Sequence, residues 1–319
     1  MSLITYSSQY VDDNTDRYHK IEVEGKEFEK KIDPIIGKGS KRFHTIMTQL
    51  ADINLSNVTK PFDFDIQRFV YAPFHFIPAE HNINKSEIKK IKEKMGLYNP
   101  LTTFQDCKNA RDLVEESIKS KDLYQIGISL HVYADTWSHS RFSGFQEPWN
   151  GVEKGISLMK LVPNIGHAEL KHKPDIISKS WKDKRFGEKV SNKTKALRAS
   201  EEIFKFLSDG KKDWIDIKSD FKKIIFAKDY SERVSLILNN YPDLNRYKED
   251  LWINEPFDFK LGPDEVILCN DPEEEEMAYS THQVIEVTPK ANFEKTNWYK
   301  FQTAAKRFLG RVISKVEML

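Results

Sequence analysis

The sequence predicts a mainly helical protein, a core bundle over residues 1–255 followed by a small mixed appendage over 256–319 that ends in a helix packed back on the core. Three observations predict it. Apolar residues recur at helical spacing in one segment after another, strand character is confined to short runs and is clearest after Pro256, and 319 residues with 39% hydrophobic content can bury one sizeable core.

Taken in order, Ile4 to Val11 is an apolar and aromatic segment that runs into Asp12-Asp13-Asn14, where a helix would meet a polar turn. Its abrupt opening reads as the remainder of a longer N-terminal helix pair. Ile21 to Gly25 suggests a short strand or turn, and Pro34 and Gly37 break the periodicity of Lys31 to Gly37. Phe43 to Leu50 places Phe43, Ile46, Met47 and Leu50 on one helical face. Residues 61–83 are rich in aromatics, and the prolines on both sides of His75 predict an extended loop there. Lys85 to Met95 and Cys107 to Ser120 are amphipathic helices. The next helix spans roughly 122–139, and Ile126, Ile128, Leu130 and Val132 make most of its circumference apolar, which predicts a central position.

Arg141 to Gly155 is a loop punctuated by Gly144, Pro148 and Gly151; it should overhang the functional site, with packing the expected role of Phe142, Phe145 and Trp149. Thr194 to Phe206, Trp214 to Phe226 and Ser231 to Leu238 read as helices. Glu265 to Asn270 and Val284 to Thr288 have strand character and flank a solvated acidic run, Glu273 to Glu276. Asn297 to Val316 is the returning amphipathic helix.

Composition narrows the function. Fifty lysines and arginines against 49 acidic residues leave a formal charge of +1, so no dominant field for a polyanion and no strong nucleic-acid signal are expected. Cys107 and Cys269 are far apart, which argues against a disulfide framework and a thiolate metal cluster alike. No apolar run approaches the roughly 18 residues of a transmembrane helix, and the N-terminus lacks the parts of a signal peptide, so a cytoplasmic location is expected. Oligomeric state is left open.

The chemistry concentrates in two stretches. Residues four apart on a helix differ by about 40° in azimuth, so His131, Asp135 and His139 climb one face and can converge on a point. The second stretch holds His167, Glu169, His172 and Asp175, so that four of the chain's nine histidines fall between residues 131 and 172. Two imidazoles and a carboxylate on an otherwise apolar helix would be costly to bury unpaired, and nitrogen and oxygen ligands suit a divalent ion. His167 and His172 would diverge by roughly 140° on a helix, so sharing a metal needs the backbone turn that Gly166 and Pro174 permit. His75 and one of Asp12 or Asp13 are further candidate ligands; His81 is a weaker one, and His19, His44 and His282 are read as surface residues.

Beyond these residues, His131, Asp135, His139 with Phe142-Ser143-Gly144, Gly166-His167 and His172-Lys173-Pro174-Asp175 resemble an uncharacterised bacterial domain family. Tyr6 to Asp13 and Pro73 to Pro78 extend the likeness over much of residues 3–181. More distantly, the ligand order is similar to that of zinc-dependent phospholipase C and the related single-strand nucleases. That resemblance implies an all-helical fold holding up to three metal ions, with Asp12 or Asp13, His75, His131, Asp135, His139 and His167 as ligands and Glu169, His172 or Asp175 closing the set. There are two departures: the chain lacks the Asp-Phe-His-like opening usual in the bacterial family, and Asp135 and His139 are spaced more closely than in the phospholipases.

The resulting expectation is a metal-dependent hydrolase, a phosphoesterase acting on a small-molecule or lipid phosphoester. Its cofactor would be a divalent metal, zinc first, with iron, manganese or nickel served by the same ligands. Asp175 or Glu169 is the expected general base. The alternative is a metal-stabilised binding or scaffold protein whose site is incomplete or closed. A His-Asp phosphohydrolase is excluded, because no His-Asp dipeptide occurs.

Overall fold

The Ser2 side chain accepts a hydrogen bond from the Thr5 amide at 3.3 Å and starts helix α1 (Leu3–Asp13), whose buried face is Tyr6, Ser7, Tyr10 and Val11. The structure is a computed structural model and describes residues 2–15, 20–23, 26–30, 44–50, 60–81, 83–152, 164–208, 210, 213–242, 244, 247–248, 251–266, 280–290, 292–317 and 319. Over these the chain is mainly helical. The segment Lys31 to Gly37, the acidic run Glu273 to Glu276, Cys269 and His19 lie outside the described residues, as do the side chains of His44 and His282.

Strands β1 (Lys20–Val23) and β2 (Lys26–Lys30) form an antiparallel hairpin, and β3 (His44–Thr45) joins β2 in parallel. The helix expected over Phe43 to Leu50 is therefore not formed over residues 44–50, and Phe43 lies outside the described residues. The backbone of this segment is claimed from outside: Asn14 Nδ2 donates to the Ile46 carbonyl at 2.9 Å, and the Ile46 amide donates to Gln302 Oε1 at 2.8 Å. The Thr48 hydroxyl donates to the Val11 carbonyl at 2.7 Å. Ile46, Met47 and Leu50 are buried, as their spacing asked, but on an irregular segment.

The extended loop expected through His75 is also corrected. Short helical turns α2 (Phe64–Ile66) and α3 (Ala72–Phe74) flank a π-helical stretch, Gln67–Tyr71. The wider π turn carries the chain into Pro73 with the Ala72 amide donating to the Gln67 carbonyl. Irregular backbone begins only after His75, over residues 76–79.

Helices α4 (Lys85–Met95), α5 (Lys108–Ser120) and α6 (Leu123–Ser138) follow closely where the periodicity put them. Asp122 caps α6 by accepting from the Tyr124 and Gln125 amides at 3.0 and 3.3 Å. A hairpin that the sequence did not signal, β4 (Ser180–Asp183) with β5 (Glu188–Ser191), precedes α7 (Asn192–Leu207), α8 (Trp214–Ile225) and α9 (Tyr230–Asn240). Antiparallel β6 (Phe257–Val266) and β7 (Ser280–Pro289) then lead to α10 (Asn297–Lys315).

Helix α6 packs against α1, α5, α7 and α10. Trp298, Phe301, Phe308 and Val312 of α10 share one apolar core with Tyr10, Leu113, Ile128 and Tyr133. No described helix is long and apolar enough to cross a membrane.

The α1–α6 crossing depends on Gly127. A Cβ there would lie 2.4 Å from Ser7 Cβ and 2.5 Å from the Ile4 carbonyl oxygen. Gly127 and His131 are one turn apart on α6, as Ser8 and Asp12 are on α1, so the close approach also sets the distance between Asp12 and His131. Gly127→Val is expected to destabilise the fold by about 1–3 kcal/mol through overpacking, read from urea unfolding midpoints; an unchanged midpoint would show that the two helices can separate without cost.

Candidate metal centre

Helix α6 brings His131 and Asp135 onto one face, and its last amide bond, from His139 N–H to the Asp135 carbonyl at 2.8 Å, places His139 at the C-cap. The preceding helical turns deliver His75 against this face. Two groups of side chains result, Asp12–His75–His131 and His139–His167–Asp175, each close enough to hold a metal ion.

In the first group, His75 Nδ1 lies 3.4 Å from His131 Nε2. Asp135 Oδ2 lies 3.1 Å from the first nitrogen and 3.3 Å from the second. Asp12 Oδ1 stands at 3.9 and 3.6 Å from the same two atoms. In the second group, Asp175 Oδ1 is 2.9 Å from His139 Nε2 and 3.3 Å from His167 Nε2. The His139 ring separates the groups, with its Nδ1 3.7 Å from Asp135 Oδ2.

Main-chain carbonyls fix which nitrogen faces inward. His75 Nε2 donates to the Thr48 carbonyl at 2.9 Å, His139 Nδ1 to the His75 carbonyl at 3.0 Å, and His167 Nδ1 to the Lys171 carbonyl at 2.8 Å. In each neutral ring the remaining nitrogen then carries a lone pair, and it is aimed at a carboxylate. Two lone pairs facing each other repel unless a proton or a cation lies between them.

Neighbouring backbone makes these placements possible. Gly166 has φ +53°, and a Cβ there would meet Phe76 Cζ at 2.4 Å. Phe76 stacks on His139, with ring centroids 4.6 Å apart and planes at 22°. Phe142 meets the His167 ring edge-on at 5.9 Å. Asn150 ties the loop to the second stretch: its Nδ2 donates to the Ser143, Phe145 and Asn164 carbonyls, and its Oδ1 accepts from the Ser143 amide. Phe142, Phe145 and Trp149 are buried, as the packing expectation held.

Not every candidate ligand joins the groups. Asp13 turns away from its neighbour and accepts a hydrogen bond from the Tyr247 hydroxyl. His172 is exposed on the turn, where its carbonyl accepts from the Asp175 and Ile176 amides. Glu169, a candidate base, accepts from the Val152 amide at 2.7 Å and holds the loop. Asp175, the other candidate base, sits between two imidazoles. His81 is exposed beside Tyr98. The carbonyls of Thr48, His75 and Lys171 were missed by sequence reasoning, since a backbone oxygen has no residue signature.

Burial opposes charge on the imidazoles, but the carboxylates win. Burial lowers the His131 pKa, and Asp12 and then Asp135 raise it to about 9. Burial likewise opposes His139, which Asp135 and Asp175 lift to about 9. Burial would raise the Asp135 carboxyl, but the His139 and His131 rings hold it far below the usual carboxylate range. Asp175 is held low by His167 and His139 against the same burial penalty.

A protein-family model described as a family of unknown function (DUF6765) matches residues 2–316. No curated protein and no solved structure matches the chain.

These shifts set the pH behaviour of the metal-free protein. His131 and His139 bind their protons more tightly when folded, so their stabilisation is complete below the ordinary value of 6.5 and is lost as pH rises through about 9. Asp135 and Asp175 stabilise above their ordinary value of 3.8 and lose the effect on acidification. Metal-free protein should therefore be most stable between about pH 4 and 6.5, with Tm falling by several degrees toward about pH 9. Melting curves with chelator and with added zinc check this; zinc should remove the alkaline fall, and a flat metal-free profile would show that these pairs hold no protons.

Proposed function

The chain belongs to that family of unknown function, DUF6765, and from its own geometry we propose that it is a metal-dependent hydrolase, a phosphoesterase that holds two divalent ions. One observation carries the reading: the inward nitrogens of His75, His139 and His167 are committed by carbonyl acceptors to face carboxylates. Outer acceptors of this kind orient metal-ligating histidines.

The spacing supports a fit. His75 Nδ1, His131 Nε2 and Asp135 Oδ2 form a triangle with edges of 3.4, 3.3 and 3.1 Å. A tetrahedral ion with bonds of about 2.0–2.1 Å has donor–donor edges of about 3.3–3.4 Å. The mixed nitrogen and oxygen set suits zinc, and iron, manganese or nickel would be accepted by it too. When bound, such ions lower the pKa of a coordinated water and neutralise charge gathering on a phosphoryl oxygen.

The remaining work falls to the chain. Phe76 covers one flank of His139 and excludes water from that side. Asp135 faces His75 and His131 and stays ionised, so it keeps both imidazoles oriented. The Asp12 and Asp175 side chains are 42% and 39% exposed, which gives both groups a route to solvent. That exposure favours an accessible site over a closed scaffold, which would bury every donor.

Elemental analysis of protein purified without chelator or nickel resin, together with a phosphoester panel, tests the proposal. Two ions per chain and measurable hydrolysis are expected. His131→Ala combined with Asp135→Ala should release at least one ion and cut hydrolysis by about a hundredfold or more, since losing even an outer partner costs about 10–100-fold. Absence of metal from the unsubstituted protein would overturn the reading, and metal without hydrolysis of any ester would move it to a scaffold.

A further inference from the structure

We infer that Lys195 is a positioning residue for the second group: its ammonium, reaching across from α7, fixes the peptide that carries His139 and so keeps the inward nitrogen of that ring on Asp175. This inference rests on the two-ion reading above and adds to it a residue from outside both ligand stretches.

A helix ends with carbonyls that no amide of its own reaches, and α6 ends at Ser138. The Phe142 amide, four residues on, donates to the His139 carbonyl at 3.1 Å, and the Arg141 amide donates to the Thr103 carbonyl at 2.8 Å. Both are thereby diverted from the helix. Lys195 Nζ donates to the Ser138 carbonyl at 3.2 Å. The peptide joining Ser138 to His139 is a rigid plane. Its N–H donates to the Asp135 carbonyl at 2.8 Å and its C=O takes the ammonium, so the plane is held at both edges.

The effect reaches the ring. His139 Nε2 stands 2.9 Å from Asp175 Oδ1, at the far end of a side chain that this peptide aims. A rotation of the plane would swing Nε2 off that line, and metal–ligand distances hold to within about 0.2 Å. A cation also suits the position, since the C-terminus of a helix carries partial negative charge.

The setting of Lys195 gives it a role beyond packing. Its Nζ lies 5.6 Å from the centroid of the Trp181 ring; Trp181 packs on Phe142, which meets His167 of the same group. Burial, and then Arg141 and Arg185, push its pKa down to about 8 against the pull of Asp183, a carboxylate already paired with Arg185. Holding an ammonium there is costly. Lys193, on the same helix, makes the same kind of contact elsewhere: it donates to the Phe226 and Ala227 carbonyls just after α8, both at 3.3 Å.

The test titrates the full chain with cobalt(II) and reads the visible spectrum, with Asp175→Asn marking the bands that belong to the second group. Lys195→Met keeps the length of the side chain and removes its charge and hydrogen bond, and Lys193→Met does the same beside Phe226. Far-UV circular dichroism and melting curves accompany every variant. Lys195→Met should fold, bind the second group's cobalt about tenfold more weakly and leave the other ion's bands in place. Lys195→Arg, which can donate again, should recover most of that loss, and Lys193→Met should leave both ions unchanged. The inference is overturned if Lys195→Met binds both ions as the unsubstituted protein does, weakens both alike or fails to fold, if Lys195→Arg recovers nothing, or if Lys193→Met has the same effect. Failure of the unsubstituted protein to take up two cobalt ions would instead overturn the two-ion reading itself.

Discussion

Each buried imidazole of this centre has two nitrogens, and once a carbonyl accepts from one of them the other is committed. Thr48, His75 and Lys171 supply those carbonyls, and none of the three is part of a regular helix or strand. A carbonyl inside a helix is already taken by the amide four residues on, so the acceptors have to come from irregular backbone. The centre therefore lies where α6 meets turns, and the surrounding structure is built to keep those turns in place.

The bracing is visible at each one. Thr48 is held because Asn14 and Gln302 take over the polar groups of its segment, joining the end of α1 to α10. Lys171 has φ +51°, and the hydrogen bond from His167 to its carbonyl spans this turn. His75 serves twice: its ring enters the first group while its carbonyl orients His139 in the second. A displacement of the π-helical turn before it would disturb both groups at once. Deeper support comes from Arg185, which is paired with Asp183, is almost fully buried, and donates to the Arg141 and Trp149 carbonyls of the intervening loop. Burying such a pair is worthwhile only with its hydrogen bonds satisfied, and here they are spent on the loop between the two ligand stretches.

Much of the helical part of the fold was legible because helix formation is local. Periodicity located α4, α5, α6 and α10 closely, since their apolar faces are written every three to four residues. Phe43 to Leu50 carries the same pattern, but residues 46–50 are irregular, because side chains distant in sequence satisfy their backbone. Pro73 suggested extension and lies in a helical turn, because a π turn before it absorbs the mismatch. The β4–β5 hairpin was silent, its strands being only four residues each with mixed burial.

The sequence by itself determined that His131, Asp135 and His139 share a helical face, that a second ligand stretch follows, and that nitrogen and oxygen donors are the available chemistry. Those facts follow from spacing and residue type. Only the tertiary structure decided that Asp12 and not Asp13 faces His131, that His172 stays on the exposed turn, and that the histidines divide into two groups on either side of the His139 ring. Those outcomes depend on the α1–α6 crossing at Gly127 and on which carbonyl each imidazole finds, and such contacts between distant segments leave no periodic mark in the chain.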